Sequence, residues 1–553
     1  MTEENDAGAR LHELFERDWA RTMAEHPELA TYTGWPDHHD RWTDLSVDAV
    51  ERRRHEAGDL LDALDAVDPD RLGETDRVSR EMFAYLERAE VAAAAFPGDY
   101  LPLNQMEGPQ LDPAFLLSVM PRDTVRHHDD LLARLRRLPD LVDQSIELLV
   151  QGLARGLTPP RICLREVPGQ LDALLGGEPG ANPLLLAFDG TPDEVRAEAA
   201  ALVRERVAPA YARLRGYLVD TYLPDCRDTV GLRDLPDGSD WYAERVRAHT
   251  TTTLSPEEIH ETGLAEVARI DAAMDDVMAS TGFHGDRAAF ATFLATDERF
   301  RFATDEALLA AYRDIAKRID PGVPRLFGRL PRLPFGITAV PADQAPSQPA
   351  AYYLPGSVEL GRPGMFYANT YDLPTRPAWN MESICLHEAV PGHHFQLTLA
   401  QETEGLPRFR QQSLACTAYV EGWGLYCESL GPELGLYADP YQRFGALDAE
   451  MMRACRLVLD TGLHALGWSR DQAIDFFAAH SVSPRHEIVV EVDRYIVWPG
   501  QALAYKVGEL HLQRLRRERA AAAGDAFDLR AFHDDVLRHG ALPLDLLDQV
   551  MGA

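Results

Sequence analysis

The chain has few cysteines, no long apolar run and no excess of positive charge, and each shortage removes a class of protein. Its six cysteines, at 163, 226, 385, 416, 427 and 455, are scattered through 553 residues and never form C-x-x-C. A disulfide framework or a four-cysteine zinc site is therefore not expected, and the pattern reads as the reduced, buried thiols of a cytoplasmic protein. No apolar stretch approaches the ~18 residues needed to cross a bilayer. The opening Met1-Thr-Glu-Glu-Asn-Asp6 is acidic and has no apolar h-region, which predicts no secretory signal. A net charge of −34 argues against nucleic acid or an anionic membrane as a general partner. No internal repeat and no low-complexity tail is apparent.

What is present is a globular composition, 45% hydrophobic and 26% charged, in a chain long enough for two or more lobes. The first half reads as helix after helix. Leu11, Leu14, Phe15 and Trp19 recur at helical spacing, as do Leu60, Leu61, Leu64 and Val67, then Met82, Phe83, Leu86 and Val91. Leu131 to Leu157 is a long amphipathic stretch that Pro139 is expected to divide or kink. Thr191-Pro192-Asp193-Glu194 starts another helix with threonine as cap, reaching toward Tyr222. Such stripes are core packing. The softer segment from Cys226 to Tyr242 marks a lobe boundary, giving an N-terminal helical lobe over 1–235 and a second lobe over 236–553. Ser255-Pro256-Glu257-Glu258 opens the next helix, with serine as cap. Between Ile337 and Asp372 prolines and glycines multiply. There Ala351–Leu354 and Met365–Asn369 read as short strands of a small hairpin or sheet. An edge strand there could hold an extended peptide by main-chain hydrogen bonds. Thr375-Arg376-Pro377 is expected to start the helix that follows, threonine capping it.

That helix carries the densest set of metal-capable groups in the chain, His387-Glu388-Ala389-Val390-Pro391-Gly392-His393-His394. A histidine followed at once by glutamate, with histidines further on, is the layout of a zinc hydrolase: histidines grip the ion and the glutamate takes a proton from water. The spacing differs from H-E-x-x-H. In a straight helix the sixth residue on points away from the first, and the seventh lies ~10 Å along the axis, a long reach for two ligands at ~2.1 Å. Pro391 removes a helix hydrogen bond and Gly392 allows unusual backbone angles. A helix interrupted at Val390–Gly392 would bring His393 to where the second histidine of H-E-x-x-H stands. On this reading His387 and His393 are ligands and Glu388 is the general base. His394 is then an outer or substrate-facing group, and His394 as the ligand is the competing reading.

A third ligand is needed. Glu421, in Thr417-Ala-Tyr-Val-Glu421-Gly422-Trp423-Gly424, is the candidate, and Glu428 could serve instead or stand behind a ligand. Two glycines inside a helix cost roughly 1 kcal/mol each against alanine, a cost that makes sense if this helix packs closely on the one bearing His387. Further on, Arg453, Arg456, Asp460 and His464 form one polar stripe, read either as a solvated face or as functional. In the functional reading Asp460 orients a histidine, His464 donates to an oxyanion and Arg456 holds a substrate carboxylate or carbonyl. Tyr505, on a helix launched by Pro499-Gly500, is a candidate electrophilic stabiliser.

Taken together, the His387 motif, the Glu421-Gly-Trp segment, Arg456 through Asp460-Thr-Gly-Leu-His464, and Pro499-Gly-Gln-Ala-Leu-Ala-Tyr505 resemble the DUF885 family. The resemblance covers nearly the whole chain, including Gly152-Leu-Ala-Arg-Gly156 and Leu254-Ser-Pro-Glu-Glu-Ile-His260. The family looks like a distant relative of mostly helical gluzincin peptidases, among them the thimet oligopeptidase and carboxypeptidase Taq families. This chain departs from their H-E-x-x-H by two residues before His393. The resemblance implies a mostly α, zincin-like, two-lobed architecture around a deep channel, the 236–553 lobe being catalytic. It also implies a preference for short peptides over folded proteins. The expected function is a zinc-dependent (Zn2+) hydrolase cutting amide bonds in short peptides. The alternatives are a metal-dependent amidase on a non-peptide substrate, and a non-catalytic helical peptide-binding protein whose metal site is structural or degenerate.

Overall fold

The computed structural model describes residues 3–176, 182–342, 345, 348–359, 361–413 and 415–552. It is 68% helix and 3% strand, so the expected mostly α class holds. The chain forms two compact units. One comprises Ala9–Val67 and Glu87–Trp241; the other comprises Met1–Gly8, Asp68–Leu86 and Tyr242–Ala553.

The first unit is built around helix α1, Val125–Ala154, whose start is fixed by the Thr124 hydroxyl accepting from the His127 N–H. Leu131, Leu135, Leu138, Val142 and Leu149 share its buried face and pack with Val207, Tyr211, Leu214 and Leu218. The helix runs through Pro139 as a single element rather than dividing there. The next expected helix begins at Asp193, and Thr191 is not its cap: its hydroxyl donates to the Phe188 carbonyl at 2.7 Å. Two π-turns, Val203–Val207 and Leu218–Tyr222, interrupt the run of α-helix that follows.

The second unit holds every candidate site residue. Helix α2, Pro256–Ser280, opens with the full capping box between Ser255 and Glu258. A three-stranded sheet follows, made of β1 Phe335–Ala339, β2 Ala351–Leu354 and β3 Gly364–Ala368. The order is β1-β3-β2, with β1 parallel and β2 antiparallel to β3. Two of the strands match the sequence reading. The third, β1, was not evident, because its parallel pairing to β3 is a long-range partnership that leaves no turn signal between neighbours in the chain.

The motif-bearing segment is two helices, α3 Met381–Glu388 and α4 His393–Glu402. The expected start at Thr375 is displaced to Met381. Pro377 is extended (φ −76°, ψ 152°), Ala378–Asn380 forms a 3₁₀ turn, and the Thr375 hydroxyl donates back to the Asp372 carbonyl. Four more helices complete the frame: α5 Thr417–Glu428, α6 Pro440–Thr461, α7 Arg485–Val497 and α8 Ala504–Ala523. Helix α2 packs along α6, and α5 packs along α8. The second contact is backbone to backbone: a Cβ on Gly422 would fall 2.5 Å from the Gly508 Cα. Any larger residue there would force the two helices apart.

Candidate metal centre

The turn between α3 and α4 makes the centre. Helix α3 ends on Glu388, Ala389–Gly392 leave helical geometry, and α4 begins on His393. The interruption is thus a four-residue turn between two helices, one residue longer than expected. A Cβ on Gly392 would lie 1.8 Å from the His387 carbonyl, so only glycine fits this path. The Trp423 indole N–H donates to the Pro391 carbonyl at 2.9 Å and ties the turn to α5.

As a result the His387 and His393 rings meet edge to face, centroids 4.7 Å apart. Both Nε2 atoms face the same Glu421 oxygen, at 3.4 Å from His387 and 3.5 Å from His393. These distances exceed the roughly 2.7–3.2 Å of an N–H···O hydrogen bond. They match the ligand-to-ligand edge of about 3.4 Å in a tetrahedron with bonds near 2.05 Å, the zinc geometry. All three ligand atoms lie within 4.8 Å of one another, the one such group found among the described residues.

What surrounds the trio also fits a cation. The His387 Nδ1 meets the Glu428 carboxylate at 2.8 Å, leaving Nε2 for the centre; a carboxylate behind a histidine fixes its tautomer and orientation. Gly424 supplies the space: a Cβ there would lie 2.7 Å from the His387 Cε1 and 2.8 Å from its Nε2. The α5 glycines therefore have separate uses. Gly424 leaves room for the His387 ring, and Gly422 admits α8. Three carboxylates, Glu388, Glu421 and Glu428, converge here. Arg453, 3.5 Å from Glu428, is a nearby cation among them. Burial alone would lower the His387 pKa, but Glu421 and Glu428 hold it at about 10. Burial would raise Glu421, yet the two imidazoles pull it well below the usual carboxylate range. Burial pushes the Glu388 carboxyl upward, with His387 and His393 opposing. A divalent cation would satisfy this arrangement and would displace protons on binding.

His394 lies outside the trio. Its Nδ1 meets the Tyr353 hydroxyl at 2.9 Å, and its ring lies 4.8 Å from that of Phe335. It anchors α4 to β2 and β1 as an outer group. Tyr505 lies beside the centre, its ring nearly parallel to His387 at 6.5 Å. Arg456 stacks on Tyr505, its Cζ 4.4 Å over the ring.

Two expected roles are corrected. Asp460 orients no histidine through its described hydrogen bonds. It accepts from the Tyr242 hydroxyl at 2.6 Å and from the Gly500 N–H at 3.0 Å, and so holds the turn before α8. His464 is 1% exposed and its Nε2 meets the Tyr495 carbonyl at 2.9 Å, which commits that atom to the fold rather than to an oxyanion. His464 sits in a π-turn, Gly462–Leu466, that follows α6. His464 stays near Asp460 and Arg456: its ring lies 5.2 Å from that of Tyr242, which bonds Asp460, and Tyr495 meets both His464 and Arg456. The stripe is not a solvated face either: Arg456, Asp460 and His464 are buried. Glu491, Arg494 and Tyr495 on α7 were missed. Arg494 and Tyr495 follow Glu491 by three and four residues on one helix face, and that spacing was the available signal.

Comparison with known proteins places the chain in a wider group. Residues 27–551 match the pattern of DUF885, described as a bacterial protein of unknown function. A solved structure from Colwellia psychrerythraea, named as a candidate lipoprotein, is 27% identical with a TM-score of 0.92, covering 99% of this chain and 98% of that one. A second, a candidate lipoprotein of unknown function from Shewanella oneidensis, is 17% identical with a TM-score of 0.75, covering 99% of this chain and 100% of that one. The latter shares the fold. No curated protein matches.

Proposed function

Because this chain belongs to the DUF885 family, whose description names no activity, we propose a function from the site itself: a zinc-dependent hydrolase that cuts amide bonds in short peptides. The observation that carries it is the pair of histidine nitrogens sharing one Glu421 oxygen at 3.4 and 3.5 Å, a spacing suited to coordination. His387, His393 and Glu421 would hold the ion. Bound there, zinc would polarise a carbonyl as a Lewis acid and make water acidic enough to ionise near neutral pH.

The remaining work falls to the chain's own side chains. Glu388 accepts the proton of the attacking water and passes it to the leaving amine. Its raised affinity for protons in a buried setting suits that exchange. Glu428 keeps the His387 ring in one tautomer. Tyr505, alongside His387, is assigned to steady the carbonyl oxygen as charge grows on it. Strand β2 is an edge of the sheet and its Tyr353 is bonded to His394. An extended peptide running beside it would approach the centre.

The test is Glu388→Gln beside wild type, assayed on a mixture of short peptides. The variant should keep its metal and lose about 10²–10⁴ in rate. Retained hydrolysis would remove Glu388 from the role of base. Metal without hydrolysis in wild type, with chelation unfolding the protein, would favour a structural ion in a binding protein. On location, two observations point different ways. Buried cysteines that form no disulfide suit a reducing cytoplasm, whereas the two solved relatives are named candidate lipoproteins. Cell fractionation distinguishes them.

A further inference from the structure

Beside the metal centre the protein buries more positive charge than it neutralises. Arg456, on α6, has a side chain 4% exposed. It donates through Nε to the Tyr495 hydroxyl at 3.1 Å and through one terminal nitrogen to Glu491 at 3.0 Å. Its other terminal nitrogen, Nη1, is buried without a hydrogen-bond partner among the described residues. Arg494, on α7, is close enough for the two guanidiniums to repel. It donates to the Gln501 side-chain Oε1 at 3.1 Å and to the Tyr505 hydroxyl at 3.4 Å, and its Nε is likewise buried with no hydrogen-bond partner among the described residues.

Glu491 is the carboxylate shared by both arginines, 3.0 Å from Arg456 and 3.5 Å from Arg494. Glu487, one turn earlier, faces Arg376 at 4.0 Å. Two guanidiniums thus share one carboxylate, leaving an excess of one positive charge. A buried charge without a counter-ion is costly, and so is a buried N–H without an acceptor. A ligand carboxylate would answer both, since the guanidinium fork matches its geometry.

We infer that Arg456 and Arg494 form a subsite for the terminal carboxylate of a peptide. The inference rests on the hydrolase reading for its substrate class: peptides with a free carboxyl end. Tyr505 neighbours both the subsite and the metal centre, its ring 6.5 Å from that of His387 and 4.4 Å from the Arg456 Cζ. The guanidinium is therefore no further from the His387 ring than those two distances laid end to end. At about 3.3–3.6 Å per extended residue, this leaves room for only a few residues between the cut and the carboxyl end. The site trims short pieces from that end.

The experiment measures binding by calorimetry to full-length, zinc-loaded Glu388→Gln protein, so that no turnover is needed. The probes are tetra-alanine and tetra-alanine amide, which differ only in the terminal charge. The acid should bind at least tenfold more tightly. Arg456→Gln, introduced into the same protein, should bring the two within about twofold. Equal binding of acid and amide, or binding of neither at millimolar concentration, would overturn the inference. So would an acid preference that survives Arg456→Gln, because the carboxylate would then be on the metal. Should Arg456→Gln not fold, Arg494→Gln takes its place with the same expectation. The hydrolase reading is judged separately, by wild-type turnover and its loss with chelator. Acid-selective binding without turnover sinks that reading alone, and turnover with equal binding sinks the subsite alone.

Discussion

Replacing Gly424 with alanine isolates the metal centre from the stability of the fold. The added Cβ would lie 2.7, 2.8 and 3.0 Å from the Cε1, Nε2 and Nδ1 of His387. Ordinary contact between such atoms needs about 3.5–4.0 Å, so the ring must retreat by roughly 0.7 Å or more. Zinc ligands tolerate only about 0.5 Å of displacement before the geometry is lost. The retreat also strains the 2.8 Å bond to Glu428 that orients the ring. Zinc affinity should fall by at least the 10–100-fold seen when a partner behind a ligand is removed. The helix itself gains about 1 kcal/mol from exchanging glycine for alanine, so the metal-free variant should not melt below wild type by more than a few degrees. The assay is zinc competition with a chromophoric chelator, with thermal melting of the metal-free protein beside it. Gly422→Ala is the contrast. Its Cβ meets the Gly508 backbone at 2.5 Å, and it should cost about 1–3 kcal/mol of stability by parting α5 from α8. Wild-type zinc affinity in Gly424→Ala would refute the reasoning, since His387 could not then be a ligand from the position described.

Two further outcomes follow from the surroundings of the centre. Glu428→Gln leaves a neutral group behind the His387 Nδ1 and should weaken zinc binding by about 10–100-fold, read by the same competition. Asp460, fully buried, has its pKa raised by burial to about 7, against ~3.9 in the unfolded chain. The folded state therefore holds a proton that the unfolded state releases between those values. The contribution is fully present below pH ~4 and is lost as pH rises through 7, a difference on the order of 4 kcal/mol at most. Asp460→Asn lacks this titration, so its melting temperature relative to wild type should rise steadily from pH 4 to 7. A constant difference would show that Asp460 stays ionised throughout.

Local chemistry was legible in the sequence, and phase was not. Pro391 and Gly392 required a break between His387 and His393, and the structure has one, because a missing N–H and a crowded backbone are properties of those two residues alone. Glu421 was readable as a carboxylate among apolar neighbours, where it needs a partner. The partner of His464 was not legible, because its Nε2 meets the Tyr495 carbonyl, 31 residues further along the chain. Thr191 and Thr375 had the right residue types for caps but bond backward to carbonyls three residues earlier. Arg456 was readable as a carboxylate holder, but its pairing with Arg494 escaped notice for a different reason. Arg456 and Arg494 stand on separate helices, and only the fold brings them to one carboxylate.

The central claim is that His387, His393 and Glu421 bind a metal ion, and metal content measures it most directly. Elemental analysis of purified wild type after incubation with zinc should give near one zinc per chain, and His387→Ala treated alike should give almost none. Zinc absent from both, or equal in both, would contradict the account.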